Sequence, residues 1–238
     1  MVLSLRSSLV ALAVSGAAFF ATGSVVGQTT DDLGLWFAAF GNGEFESQDD
    51  SSLPKLWWFD AHYRLLDNTG GFHQSILRPG LGVKVAEDQV LWAGYAWIVT
   101  QPAVGFEFDE HRIWQQWTAA PSRGDFRFLH RSRFEQRFFD NGDDVALRWR
   151  QLFRIQRLLT TCPEWSLVLW DEAFIHLNDA EDVGIEAGFD QNRVFLGLGH
   201  RRCPSAPVRT EVGYLNQFLN RRGGVDTMNH ILSINFFY

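Results

Sequence analysis

Cysteine is scarce in this 238-residue chain: there are 2, Cys162 and Cys203, and neither sits in the paired spacing of a zinc site. Long hydrophobic runs are scarcer still. Beyond the first 28 residues no stretch reaches the roughly 18 uncharged residues that a membrane-crossing helix needs, which excludes a helical membrane protein. Positive charge is not in excess either. A formal net charge of -7 and a pI near 5.5 argue against a nucleic-acid binder, so no nucleic-acid partner is expected. The histidines and carboxylates show no metal-ligand spacing, and no metal or cofactor is expected.

What is present is aromatic and alternating. Phe numbers 21, Trp 10, and aromatic residues make up 15% of the chain. Met1 to Arg6 carries positive charge, Leu9 to Phe20 is apolar, and small residues follow at Ala21, Gly23, Ser24 and Gly27. This order reads as a secretory signal over residues 1–27, cleaved so that the mature chain begins between Ser24 and Thr29. In an exported chain Cys162 and Cys203 are compatible with one disulfide. At the other end, Met228 to Tyr238 alternates, with apolar residues at the even positions apart from His230. Such a strand has one greasy and one wet face, and Phe236 and Tyr238 resemble the terminal signal read by the outer-membrane assembly machinery.

The same pattern fills the chain between these ends. Alternating segments run over Leu33 to Phe40, Lys55 to Leu66, Phe72 to Val85, Gln89 to Thr100, Phe106 to Ala119, Phe126 to Phe139, Val145 to Leu159, Glu164 to Leu177, Asn192 to Arg201, Val208 to Asn220 and Thr227 to Tyr238. Turns rich in Asp, Asn, Gly and Pro separate them, so neighbours should pair as antiparallel hairpins. Sandwich strands are typically about five or six residues, whereas a strand crossing a bilayer needs roughly nine to eleven. Length therefore favours an all-β antiparallel transmembrane barrel over a soluble sandwich.

With Tyr238 in the periplasm, the turns at Cys203-Pro204, Cys162-Pro163, Pro121 to Gly124 and Glu87-Asp88 fall on the periplasmic side. The longer Asn178 to Gly188 and Gln101 to Gly105 connections fall outside, as barrel asymmetry requires. An odd number of segments conflicts with the even counts of single-chain bacterial barrels. The expectation is therefore about 10 or 12 strands, with residues 28–54 of uncertain placement and the barrel proper over 55–238.

The two faces of each segment differ in chemistry. Phe126, Phe128, Phe134 and Phe138 oppose Arg127, Arg131, Arg133, Glu135 and Arg137; Leu147, Trp149, Phe153 and Ile155 oppose Arg148, Arg150, Arg154 and Gln156. An arginine facing lipid near the midplane costs about 2–4 kcal/mol, so the charged face should point inward. The same parity places Asp60, His62, Arg64, Gln74, Arg78, Lys84, Glu110, Arg112, Gln116, Glu172, Arg193, Arg209, Glu211 and Gln217 inside. Gly80, Gly82, Gly94, Gly197, Gly199 and Gly213 also fall on inward positions, where small residues let a narrow barrel curve or leave room. Trp57, Phe59, Tyr63, Tyr95, Trp97, Trp117 and Tyr214 fall outside.

Two uses of the arginines compete. They can line a narrow, porin-like passage or binding site for small anionic solutes, or they can pair with Glu and simply fill the lumen. A hydrolytic alternative rests on His130 and Ser132, which share the outer face, with Gln151 opposite Ser132 across a hairpin. A phospholipase needs such a nucleophile, base and orienting group, but no oxyanion or calcium cluster accompanies them, and an enzyme is not expected.

At Leu77-Arg78-Pro79-Gly80-Leu81-Gly82, Leu91-Trp92-Ala93-Gly94-Tyr95-Ala96-Trp97, Glu110-His111-Arg112-Ile113-Trp114-Gln115-Gln116, Arg131-Ser132-Arg133-Phe134-Glu135-Gln136-Arg137 and Asp190-Gln191-Asn192-Arg193, the chain resembles a bacterial family of uncharacterised proteins, domain of unknown function 2490. The resemblance covers nearly all of the mature chain. It implies a barrel in the outer membrane of a Gram-negative bacterium, with outer-membrane lipid and lipopolysaccharide as surroundings, and no established activity. Arginine-lined lumens in small acidic-oligosaccharide porins are an analogy only.

Overall fold

Strands dominate because alternation persists for 11 to 16 residues at a time, and each strand ends where a turn residue interrupts it. The computed structural model describes residues 29–45, 56–66, 71–102, 105–201 and 208–238. The signal-peptide region and Cys203 lie outside these. The strands are β1 (Thr29–Glu44), β2 (Leu56–Leu66), β3 (Gly71–Ala86), β4 (Gln89–Thr100), β5 (Phe108–Ala119), β6 (Ser122–Arg123), β7 (Phe126–Phe139), β8 (Ala146–Leu158), β9 (Trp165–His176), β10 (Gly188–His200), β11 (Arg209–Leu219) and β12 (Asp226–Phe237). Among the described residues the helical content is one short 3-10 turn, Glu181–Val183.

Each strand pairs antiparallel with the next, β5 with β7, while β6 is a two-residue clip on the β5–β7 turn. The wall thus has eleven strands, and it closes by a parallel pairing of β1 with β12, from Thr29 beside Asp226 to Phe40 beside Phe237. This corrects the even count expected from sequence. The Leu33 to Phe40 segment belongs in the wall, and an odd meander brings its first and last strands together pointing the same way. The seam is held at its end by the Tyr238 N–H, which donates to the Phe40 carbonyl at 2.8 Å, and by stacked Phe40 and Phe237 rings 4.8 Å apart.

Closure leaves two ends. The Tyr238 end carries the turns at Glu87-Asp88, Pro121 to Asp125 and Leu159 to Glu164, while the Thr29 end carries those at Asp140 to Val145, Leu177 to Ala187 and Asn220 to Val225. Gly124 (φ 57°) and Gly223 (φ 72°) supply the left-handed residue of one turn at each end, a conformation that costs a side chain little only when there is none. The grouping of turns by end agrees with the alternation of the segments.

An eleven-stranded barrel is wider than the eight-stranded kind that side chains just fill. Here large side chains occupy the extra space. Leu56, Ile76, Trp92, Ala96, Ile98 and Trp114 form one apolar cluster inside β2 to β5, and Trp36, Val168, Phe195, Leu215 and Ile231 form a second on the β1 and β9–β12 side. The inward glycines make room for them. A Cβ at Gly80 or Gly94 would strike Trp114, one at Gly82 would strike Trp92, and one at Gly197 or Gly213 would strike Phe195. The space that small residues opened is taken by aromatic rings.

Candidate functional site: the barrel interior

Between the two apolar clusters lies a band of buried charge supplied mainly by β5, β7, β8 and β9. Glu135, 1% exposed, accepts from Arg148 Nη2 and Arg150 Nη1, both at 2.7 Å, and lies 3.6 Å from Arg112 and 3.8 Å from Arg133. Glu110 accepts from Arg112 Nε and Arg137 Nε at 2.5 Å each. Glu172 accepts from Arg131 at 2.7 Å and from Arg150 Nε at 2.9 Å. Nearer the Tyr238 end, Glu211 is held by Arg154 and by Arg209, the latter at 3.2 Å. Asp60 takes Trp58 Nε1–H at 2.6 Å, His62 at 2.9 Å and Arg78 at 3.4 Å. Each carboxylate therefore meets at least one guanidinium, which is the condition for burying a charge at all.

Arg64, Arg78, Arg112, Arg131, Arg133, Glu135, Arg137, Arg148, Arg150, Arg154, Arg193 and Glu211 are thus all buried or half-buried within one barrel. Lys84 departs from expectation. It sits at the Tyr238 end, where β3 runs past the core, and pairs with Glu44 in solvent at 3.0 Å. Arg127 is likewise exposed, donating to the Gly124 carbonyl at 2.7 Å.

Arginines outnumber the acids, and the surplus is concentrated. Arg64 and Arg193 have no carboxylate within ion-pair distance among the described residues. Arg64 Nη1 donates to Gln74 at 2.7 Å, and Arg193 Nε donates to Gln191 at 3.1 Å. Both guanidiniums lean on the Trp36 ring, at 4.0 and 5.0 Å from its centroid, and Arg193 also lies 4.6 Å from that of Phe174. Arg64 Nε and Trp36 Nε1 are buried without a hydrogen-bond partner.

These residues floor a cavity of about 560 Å³ at the Thr29 end. Its wall includes Arg78, Arg112, Arg137, Arg148 and Arg150, and among the described residues its one lining carboxylate is Asp32. Trp36, Arg64, Arg78, Arg150 and Arg193 also face an inner chamber of about 150 Å³ that extends to Phe40 and Phe237. Arg154 and Leu129 then separate that chamber from a cavity of about 540 Å³ at the Tyr238 end. Three spaces lie in series, divided by side chains rather than by backbone.

Reasoning from sequence missed the inward aromatics Trp36, Trp114, Phe174 and Phe195. Parity was the available signal, since Trp114 shares the face of Glu110 and Arg112. Elsewhere, Cys162 is exposed on the β8–β9 turn, and Phe236 and Tyr238 are exposed on the outer wall at the seam. His130, Ser132 and Gln151 also lie on the outer wall. Gln151 stands opposite Ser132 as expected but hydrogen-bonds His130, and the Ser132 hydroxyl accepts Trp149 Nε1–H at 2.8 Å. Among the described residues no cluster of His, Cys, Asp and Glu could hold a metal ion.

A closed β-barrel with a charged, largely packed interior defines the class. The chain belongs to the family described as Protein of unknown function (DUF2490), which it matches over residues 33–229. It is similar to an uncharacterized protein of Methylorubrum extorquens, 38% identical over 187 residues, covering 76% of this chain and 79% of that one. No solved structure matches the chain. The sequence blocks that carry the family resemblance contain Arg78, Gly80, Gly94, Glu110, Arg112, Trp114, Arg133, Glu135, Arg137 and Arg193, so they build the interior.

Proposed function

We propose that this protein is an outer-membrane barrel that admits small anionic solutes through a narrow, arginine-rich interior, as a porin-like pore. The observation carrying the solute is the cavity at the Thr29 end, where many guanidiniums meet one lining carboxylate among the described residues. Fixed cations in a low-dielectric wall attract anions and repel cations. Residues 1–27 direct export, and Phe236 and Tyr238 address the chain to the assembly machinery.

The membrane setting is supported by the outer wall. Leu81, Ile113, Leu167, Leu196 and Leu232 are among many apolar side chains exposed there, the kind of surface that marks an interaction site such as lipid. Polar groups on that wall are paired across strands, as lipid contact requires. Gln115 and Gln136 exchange amide hydrogen bonds at 3.3 and 3.0 Å, Asn192 donates to Asp171 at 3.1 Å, and Tyr95 and Tyr214 bond His111 and His230. Outer-membrane lipid and lipopolysaccharide are its surroundings in this reading.

A second reading is a closed binding barrel, favoured by the layer of Trp36, Arg64, Arg78, Arg150 and Arg193 standing between two cavities. No hydrolase is proposed: Gln151 bonds His130 as an orienting amide would, but among the described residues the Ser132 hydroxyl is paired with Trp149 Nε1–H and not with His130. Planar-bilayer recording separates the two. Under a salt gradient, the pore reading expects a reversal potential of anion-selective sign that moves toward zero in an R64Q/R193Q double variant. Heat-modifiable, folded protein that conducts nothing would sink the pore and leave the binding barrel.

A further inference from the structure

Arg64 and Arg193 pose an electrostatic problem that the chain solves only in part: Arg193 has Glu172 and Asp190 nearby but beyond ion-pair distance, while the charged groups around Arg64 are other guanidiniums. They are 7% and 9% exposed, yet their polar partners are the amides of Gln74 and Gln191. Burying an unpaired charge is costly, and the Arg/Glu band beside them shows that this barrel otherwise supplies carboxylates. Arg64 Nε and Trp36 Nε1 lack partners, and Trp36, Arg64 and Arg193 all line the floor of the Thr29-end cavity.

We propose that Arg64, Arg193 and the Trp36 indole N–H form a binding site for one carboxylate that carries a compact apolar body, an exchangeable counter-ion at the cavity floor. The site rests on the reading that this cavity is open to solutes. A planar guanidinium pairs with a carboxylate through parallel N–H bonds, and here the Trp36 and Phe174 rings support the guanidiniums from behind. The body of the ligand meets Leu66, Phe72, Ile76, Pro102 and Leu219, which line the same cavity. A hydrated inorganic anion would satisfy the guanidiniums but leave that apolar wall uncovered.

The test uses the folded barrel in detergent micelles with sodium benzoate as probe, followed by titration calorimetry and thermal unfolding. Wild type should take up one benzoate saturably and gain melting temperature, because a ligand that binds only the native state stabilises it. R64Q and R193Q should each weaken binding by about tenfold or more, the scale of a lost charge-assisted hydrogen bond, and W36F by less. Gln74→Glu keeps the shape at 2.7 Å from Arg64 and installs a covalent counter-ion. It should abolish benzoate uptake while raising the melting temperature without ligand, which a variant that merely misfolds would not do. Absence of saturable benzoate binding, binding unchanged in a folded R64Q/R193Q variant or in Q74E, or inorganic phosphate binding more tightly than benzoate would each overturn the site. Benzoate binding without conductance keeps the site and removes the passage; anion conductance without saturable binding does the reverse.

Discussion

The arginines around Glu135 and those around Trp36 occupy the same barrel, yet they are stabilised in different ways. Arg112, Arg133, Arg148 and Arg150 share Glu135, and Arg148 and Arg150 donate to it directly. Arg64 and Arg193 rest on an aromatic face and two amides. Cation–π contact offers roughly 0.5–2 kcal/mol, well short of what an ion leaves behind in water. The first group gathers on a carboxylate, although Arg133, seated on the Trp114 ring and the Gln116 amide, keeps both Nη atoms without a hydrogen-bond partner; the second has no carboxylate within ion-pair distance among the described residues. A barrel needing only to be filled would have placed a Glu at position 74 or 191, where Gln now stands.

The sharpest way to break that contrast is to remove one partner from each group. Glu135→Gln should destabilise the barrel by about 3–5 kcal/mol, because it strands buried guanidiniums, whereas Arg64→Gln should cost under about 1 kcal/mol or stabilise. Urea unfolding in micelles, followed by tryptophan fluorescence, measures both, and equal losses would erase the distinction. A smaller effect probes the packing that separates the two groups. Gly94→Ala drives a methyl into Trp114 and the Pro79 carbonyl, and overpacking of this kind costs about 1–3 kcal/mol. The expected result is a lowered unfolding midpoint with anion binding retained, since Trp114 belongs to the cluster away from Trp36.

The smallest effect lies outside the barrel wall. Asp182, exposed beside the 3-10 turn, accepts from the backbone N–H groups of Asp143 (2.5 Å) and Asp144 (2.9 Å), which hold its carboxyl below the usual carboxylate range. A depressed folded-state pKa contributes stability above the unfolded pKa and loses it as pH falls through the folded value. Amide exchange at Asp143 and Asp144 should therefore quicken as pH drops below the ordinary aspartate range, once the intrinsic exchange rate is divided out. Asp182→Asn should remove that pH dependence and leave the interior untouched.

Much of the barrel was legible because alternation is local. Each segment states its own two faces, so the inward assignment of Arg133, Glu135 and Arg150 needed no knowledge of the partner strands. Two features were not local. Whether β1 joins the wall depends on where the last strand arrives after ten others, and an even count was the reasonable prior. Which arginines lack an acid depends on cross-barrel distances such as Arg131 to Glu172, spanning 41 residues of chain. Trp114 and Phe195 were missed for another reason: no face was assigned to them, although their parity matched the inward glycines that accommodate them.

The parallel seam also bears on how the chain could be re-cut. In an even-numbered meander the two termini are neighbours and a short peptide can fuse them. Here Thr29 lies beside Asp226 and Tyr238 beside Phe40, so the start of β1 and the end of β12 are separated by the length of β12, on the order of 40 Å at about 3.3 Å per residue. A circular permutant must carry a tether of roughly a dozen extended residues or more along that length, and a linker of a few glycines would pull the seam apart.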